Sequence, residues 1–359
     1  MIKVLLVGAG AVVEGNYLYA LRRLEKADAL RIVSVADPNM LRARQIAARF
    51  KQACPYPDFD SALENGSYDL ALIASPPSLH ADHACAALEH GCHVLCEKPM
   101  TTTAADAHRM NAAAENAGRA LGVVFPRRFY SSVADVAKLV ANGDLGDDLR
   151  FTYREGGAFD WPSASGAVFS RETAGGGALI DKGVHLLDQL NWIFGDPVVL
   201  SAVDDSLAGG VETNSQLELA FPNARGTLHV SWEYPLNNGL RIQGSSGEIM
   251  LECGEIRTYR RKTREGWMRV PATTTWPADL KRSGGKRRRP DFEFESIELL
   301  VIGMLRRITY GEPYLVTGVQ AAGVQAVIDK AYQLTQPMAC PWLAHSEEEA
   351  ARAKYWRAG

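Results

Sequence analysis

Apolar positions in the first third of the chain fall in short unbroken runs separated by stretches of helical spacing. Val4 to Val7 is a β-branched and leucine run that stops at Gly8 and Gly10. A helical stretch over about Asn16 to Lys26 leads to the run Arg31 to Ala36, which ends at Asp37-Pro38. Helical Met40 to Phe50 leads to Tyr68 through Ala74, which stops at Pro76-Pro77. Helical His80 to His90 then leads to His93 through Cys96, which stops at Glu97-Lys98-Pro99. A last helix, Thr103 to Ala117, precedes Ala120 to Val124. Short buried runs alternating with helices predict a parallel sheet covered on both faces. Right-handed crossovers make that sheet a doubly wound domain over residues 1–123.

The pattern changes after about residue 124. Leu217 to Phe221, Thr227 to Trp232, Leu240 to Ile242 and Glu248 to Leu251 alternate with period two. Asn237-Asn238-Gly239 and Ser245-Ser246-Gly247 are turn signals between them. With helices at Val133 to Asn142, Phe294 to Tyr310 and Thr317 to Leu334, this predicts an α+β domain over 124–335. The tail, 336–359, opens a short helix at Ser346-Glu347-Glu348-Glu349, an N-cap with an acidic first turn.

Composition narrows the function classes. A chain of 359 residues with 47% hydrophobic and 23% charged positions is an ordinary folded protein of about two domains. Its formal charge of -3 gives no field for holding nucleic acid or an anionic membrane. No apolar run approaches the ~18 residues of a membrane span. The chain opens directly into Met1-Ile2-Lys3-Val4, without a basic leader, so a cytoplasmic protein is expected. Six cysteines in this length do not suggest a disulfide scaffold.

Gly8-Ala9-Gly10 stands where the first strand meets the first helix. One glycine allows the tight turn, the second lets the backbone approach a pyrophosphate, and the helix start offers free N–H groups to the anion. The third fingerprint position is Val13 rather than glycine or alanine, which is expected to push the helix slightly off the strand. Asp37, at the end of the second strand, is placed to accept from both adenosine ribose hydroxyls and to repel a 2′-phosphate. That favours NAD over NADP. Arg42 and Arg44, which can hold a 2′-phosphate, are read as a solvated helix face.

Four segments together resemble one family: Ile73-Ala74-Ser75-Pro76-Pro77-Ser78-Leu79-His80, then His93-Val94-Leu95-Cys96-Glu97-Lys98-Pro99, then Arg127-Arg128-Phe129, then Gly175-Gly176-Gly177 through Asp181-Lys182-Gly183-Val184-His185-Leu186-Leu187-Asp188. In this order and spacing they are similar to the glucose–fructose oxidoreductase, inositol dehydrogenase and rhizopine-catabolism (Gfo/Idh/MocA) family. The stretch Leu240 to Glu248 resembles that family's second-domain sheet, and the similarity runs from residue 1 to about 335. Val13 and Lys182 depart from the pattern without removing a functional group. The resemblance implies a Rossmann domain followed by an α+β domain with a large open, mostly antiparallel sheet. It implies an NAD-dependent oxidoreductase (NADP possible) that moves a hydride between a nicotinamide and a carbinol carbon of a sugar, cyclitol or sugar derivative. It also implies a homodimer or homotetramer. Cofactor contacts are expected from Gly8, Gly10, Ala11, Val12, Asp37, Ser75, Pro76, His80, Glu97 and Lys98.

Lys98 ends a strand on the side where open sheets bind ligands. Taken alone it reads as an exposed lysine paired with Glu97. With the resemblance it is assigned to polarise the reacting oxygen or relay its proton, a base role that needs a pKa below the ordinary value near 10.4. Asp181, His185 and Asp188 share one helix face at i, i+4 and i+7. A histidine aligned by a carboxylate serves as general acid/base near neutral pH. His185 is therefore the expected proton-transfer group, Asp181 its positioner or a substrate-hydroxyl acceptor, and Asp188 structural. The triple glycine lets this helix start close to another backbone or a ligand. Arg127 and Arg128 are expected near the substrate, one bonding to it and the other structural. Tyr153, Phe159 and Trp161 are candidate walls for a sugar ring, with at least one in the core.

Two signals are set aside. His80, His83, Cys85, His90, Cys92, His93 and Cys96 fall along a helix and then a strand, without the paired spacing of a metal site. The basic run Lys281 to Pro290 reads as a solvated loop, or as a lid gripping a phosphorylated or nucleotide-linked sugar. Two other functions stay open: an NAD-dependent glycoside hydrolase that oxidises transiently and eliminates, and a non-catalytic dinucleotide sensor.

Overall fold

The computed structural model describes residues 1–162, 166–206, 210–276 and 292–339, together with Ser346 and Glu349. The basic run 281–290 lies outside the described residues, as does most of the tail. The chain divides into two compact units, Met1–Ser131 with Thr273–Ala322, and Ser132–Ala272 with Gly323–Gly359.

The first unit holds strands β1 (Ile2–Val7), β2 (Leu30–Ala36), β3 (Cys54–Tyr56), β4 (Leu70–Ile73), β5 (His93–Cys96) and β6 (Leu121–Val123). Helices α1 (Leu18–Lys26), α2 (Met40–Ala47), α3 (Phe59–Asn65), α4 (His80–Glu89) and α5 (Ala104–Ala117) connect them. All neighbours are parallel, in the order β3-β2-β1-β4-β5-β6. Leu5, Leu6, Leu70, Ala71, Leu72, Ile73, Val94 and Leu95 are fully buried. Each large one is worth about 1.5–3 kcal/mol over leaving it in water. Asn39, Asp58 and Thr103 cap α2, α3 and α5 by accepting from Arg42, Ser61 and Asp106 N–H. Strand β3 and helix α3 were not predicted: three residues at a sheet edge and seven in a helix are too short to build a period. The order reverses between β1 and β4, which opens a crevice at the carboxyl ends of those strands.

The second unit is built on α6 (Ser131–Ala141), β7 (Leu149–Gly156), α7 (Arg171–Ala174), α8 (Val184–Phe194) and strands β8 (Val198–Asp204), β9 (Asn214–Ala220), β10 (Ala224–Ser231), β11 (Gly239–Gln243), β12 (Glu248–Glu252), β13 (Thr258–Thr263) and β14 (Gly266–Pro271). Helix α9 (Glu293–Tyr310) follows, then α10 (Gly318–Leu334) and β15 (Thr335–Pro337). The sheet order is β14-β13-β12-β11-β7-β10-β9-β8-β15. Among the described residues only β7 with β10 and β8 with β15 are parallel in this sheet. Leu217, Leu228, Tyr153, Leu240 and Leu251 oppose one another in one row across five strands, and all are buried. The predicted turn at Asn237-Asn238-Gly239 holds Asn237 in the left-handed region, at φ 54°. Asn238 accepts from Gly156 and Leu236 N–H and so locks the hairpin onto β7.

Helix α9, which the pattern groups with the second domain, packs on α1 in the first unit. Its Phe294 meets the Tyr19 ring edge-on at 4.5 Å, and Glu298 lies 3.5 Å from Arg23.

Candidate functional site

Four strand ends supply the chemistry of the first unit. Gly8 follows β1 with φ 95°, and a Cβ there would lie 2.4 Å from the Ala74 carbonyl oxygen after β4. Only glycine meets both demands. Gly10 faces open space on the side where its Cβ would be, as a loop that admits a ligand must. Asp37, after β2, accepts from Ala9 N–H at 2.8 Å with one oxygen and from Asn39 N–H at 2.8 Å with the other. The carboxylate is thereby seated against the glycine loop. The helix begins at Ala11 and passes through a wide π-turn, Val13–Tyr17, before α1. Fully buried Val13 is accommodated within that wide turn.

After β5, Glu97 is buried and accepts from the Tyr17 hydroxyl and from Lys98 N–H at 2.9 Å. Burial pushes the pKa of Glu97 and Tyr17 up. Lys98 is half-buried beside it. His80, 1% exposed, places Nδ1 2.9 Å from the Pro99 carbonyl and Nε2 2.7 Å from the Ser75 carbonyl. Burial holds its pKa down, against the pull of the two carbonyls. His80 thus ties the loop after β4 to the loop after β5. Ser75 Oγ lies 3.0 Å from His83 Nδ1.

In the second unit the glycines 175–177 lead into a second wide turn, Leu179–Gly183, and then α8. Asp181 N–H donates to the Gly177 carbonyl at 3.0 Å. Trp232 Nε1 donates to Asp181 Oδ2 at 3.2 Å. The Trp232 ring lies 4.9 Å from Phe159, and Phe169 meets both rings edge-on. Lys182 donates to the Gly157 and Ser231 carbonyls at 3.0 and 3.4 Å, so the extra charge in the motif is spent on the backbone. His185 is half-buried one turn beyond Asp181, and Asp188 is buried.

Comparison with known proteins gives the same outline. Residues 2–125 match the profile described as "Oxidoreductase family, NAD-binding Rossmann fold", and residues 133–250 match the "GFO/IDH/MocA C-terminal domain". The chain belongs to the GFO/IDH/MocA family. Its similarity to D-glucoside 3-dehydrogenase of Escherichia coli (strain K12) is 32% identity over 203 residues, 56% of each chain. The scyllo-inositol 2-dehydrogenase (NADP(+)) of Bacillus subtilis (strain 168) is 28% identical over 247 residues, 68% of each chain. The solved aldose-aldose oxidoreductase of Caulobacter crescentus, complexed with glycerol, shares the fold at TM-score 0.75 and 23% identity, over 93% of this chain and 97% of that one.

For this GFO/IDH/MocA chain, the structure brings Gly8, Gly10, Asp37, Ser75, Glu97 and Lys98 to one edge of the first sheet. His80 and Glu97 are both buried, His80 between the Ser75 and Pro99 carbonyls and Glu97 under the Tyr17 hydroxyl. Arg128 is 1% exposed and donates to the Leu315 carbonyl at 3.2 Å, whereas Arg127 is half-buried. Tyr153 sits in the buried row of the second sheet with its hydroxyl bonded to Gln189. Trp161 is 46% exposed, and no ring contact joins it to the Phe159 cluster among the described residues. Sequence reasoning missed Tyr17, Phe169, Glu212, Trp232 and Tyr332. Only Trp232, at the end of an alternating strand, carried any local signal. Among the described residues no three His, Cys, Asp or Glu side chains are grouped to hold a metal. No helix among them is long and apolar enough to cross a membrane.

Proposed function

We propose that the chain is a nicotinamide-dependent dehydrogenase acting on a carbinol of a sugar, cyclitol or sugar derivative. The observation that carries the reading is the strand-end constellation of Gly8, Asp37 and Lys98 on one edge of a sheet ordered β3-β2-β1-β4-β5-β6. These residues fit a dinucleotide. The glycine loop leaves room at Gly10, the helix start at Ala11 and Val12 presents N–H groups to a pyrophosphate, and Asp37 is held where a ribose diol is taken. Asp37 favours NAD. When bound, the nicotinamide supplies the two-electron acceptor or donor for the carbinol hydrogen.

The chain's own residues deal with the proton and the alignment. Lys98 is assigned to the substrate oxygen, whose negative charge an ammonium stabilises as the O–H proton leaves. His185 is assigned to take or return that proton, and Asp181, steadied by Trp232, to orient the imidazole or a substrate hydroxyl. Phe159 and Phe169, packed on buried Trp232, offer apolar ring faces beside Asp181, suited to the C–H face of a sugar. The second unit is also proposed to pair copies of the chain into a homodimer or homotetramer. Exposed Val198, Leu200, Trp267 and Met268 on its outer strands support that. The protein is proposed to work in the cytoplasm.

The test is a panel of polyols, sugars and nucleotide sugars followed at the nicotinamide absorbance, with NAD and NADP in parallel. Net NADH formation with a polyhydroxylated substrate is expected. Redox-neutral bond cleavage with no NADH accumulation points to the hydrolase chemistry instead, and absence of any exchange across the panel overturns the reading.

A further inference from the structure

Glu212 is a buried carboxylate that the proposed chemistry does not use. Its side chain is fully enclosed, just before β9. Oε1 accepts from Gly177 N–H at 3.0 Å, from Leu179 N–H at 3.0 Å and from the Tyr332 hydroxyl at 2.8 Å. Its main-chain carbonyl accepts from Ala178 N–H at 2.9 Å. One residue thus satisfies three consecutive N–H groups at the start of the turn that carries Asp181. Those groups have no partner inside a helix, and the helix dipole makes them favour a negative charge. Arg171, on α7 just before the glycines, lies 3.8 Å from Oε2, and its guanidinium stands 5.0 Å over the Tyr332 ring.

Two of the three glycines follow from this seat. A Cβ on Gly177 would come 1.9 Å from the Glu212 carbonyl oxygen, and one on Gly176 would come 1.9 Å from the Tyr332 hydroxyl. The close approach that the glycines permit is to this carboxylate and its tyrosine. The neighbouring residue closes the loop. The Thr213 carbonyl accepts from Trp232 N–H at 2.8 Å, and Trp232 Nε1 holds Asp181. Glu212-Thr213 therefore grips the helix start on one side and, through Trp232, the Asp181 side chain on the other.

We propose that Glu212 is the positioning residue for the helix bearing Asp181 and His185, with Tyr332 and Arg171 completing its seat. The proposal rests on the assignment of Asp181 and His185 above. Its lever is geometric: a displacement of about 1 Å in a reacting group costs up to about 100-fold in rate.

The test compares Glu212→Ala, Glu212→Gln and Tyr332→Phe with the wild type in the full chain. NADH titration counts intact molecules, turnover is expressed per NADH-binding site, and amide hydrogen exchange is followed over residues 177–185. Glu212→Ala is expected to lower kcat per NADH site by about 100-fold. Substrate KM should move by less than about threefold, and exchange at the helix start should speed up. Glu212→Gln, which keeps one acceptor oxygen, and Tyr332→Phe are expected to fall between. Wild-type kcat per NADH site in Glu212→Ala overturns the proposal, as does unchanged exchange. Should that variant fail to fold, wild-type turnover and exchange in both Glu212→Gln and Tyr332→Phe overturn it equally. The exchange readout needs no substrate. A wild type that turns over nothing on the panel defeats the functional reading, while the exchange comparison still decides whether Glu212 anchors the helix.

Discussion

Two helices in this molecule begin in the same unusual way. Each follows a glycine loop, and each enters through a π-turn, Val13–Tyr17 in the first unit and Leu179–Gly183 in the second. They differ in what meets their first N–H groups. At the second start Glu212 takes the Gly177 and Leu179 N–H groups with its own carboxylate. At the first, the Asp37 carboxylate reaches only Ala9 N–H of the glycine loop, and among the described residues no side-chain hydrogen bond takes Gly10, Ala11 or Val12 N–H. A helix start satisfied from within has no call for an external anion and is free to present side chains along its face. A helix start left open is a seat for phosphate. Under the proposed function, the same local geometry would serve cofactor binding in one unit and the placement of reacting groups in the other.

The sharpest way to break this comparison is His185→Asn. If the second helix presents reacting groups, turnover should fall by at least about 100-fold while NADH affinity, read by fluorescence titration, stays within about twofold. Unchanged turnover removes His185 from the mechanism. Next in size is Gly8→Ala at the open start. The added Cβ meets the Ala74 carbonyl in a left-handed backbone, so denaturant melts should show a loss of more than about 2 kcal/mol, with NADH binding lost alongside.

Asp37→Ser sharpens the assignment of the open end to NAD. Removing the carboxylate should shift the NAD:NADP ratio of kcat/KM by about tenfold toward NADP. A wild type that already prefers NADP would overturn the role given to Asp37. The smallest effect concerns His80, which braces the open end from behind. Its folded pKa is held below the ordinary imidazole value by burial, so the unfolded chain binds the proton more readily. Stability is then highest above pH about 6.5 and is lost as the pH falls below it. Melting midpoints at pH 5.5 and 7.5 should differ less in His80→Asn than in the wild type. An equal acid slope in both would show that His80 is not a source of the loss.

Much of the first unit was legible along the chain. Apart from β3, each strand there is a short apolar run followed within a few residues by glycine, aspartate or proline, and strands end where sheets of this kind bind ligands. Asp37 and the glycine pair could therefore be singled out by position, whereas Lys98 took its assignment only from the family resemblance. Arg128 and Tyr153 could not. An arginine beside an arginine and a tyrosine in an alternating strand give no sign of which is buried, and their partners Leu315 and Gln189 lie 187 and 36 residues away. The late helix α9 was read as a helix but grouped with the wrong neighbours, because an amphipathic stripe shows that it must be covered without showing by what.

Periodicity and the residues at run ends, both local properties, were enough to read from sequence alone the parallel first sheet and, β3 and α3 apart, its alternating strand and helix order, while the groups at its edge were singled out with the help of the family resemblance. Only the folded chain decided how the polar groups are satisfied: Glu212 under the second helix start, Trp232 on Asp181, Tyr17 on Glu97 and His80 between two loops. A buried donor or acceptor must find a partner, but the partner is chosen by three-dimensional proximity and leaves no mark on the spacing of residues along the chain.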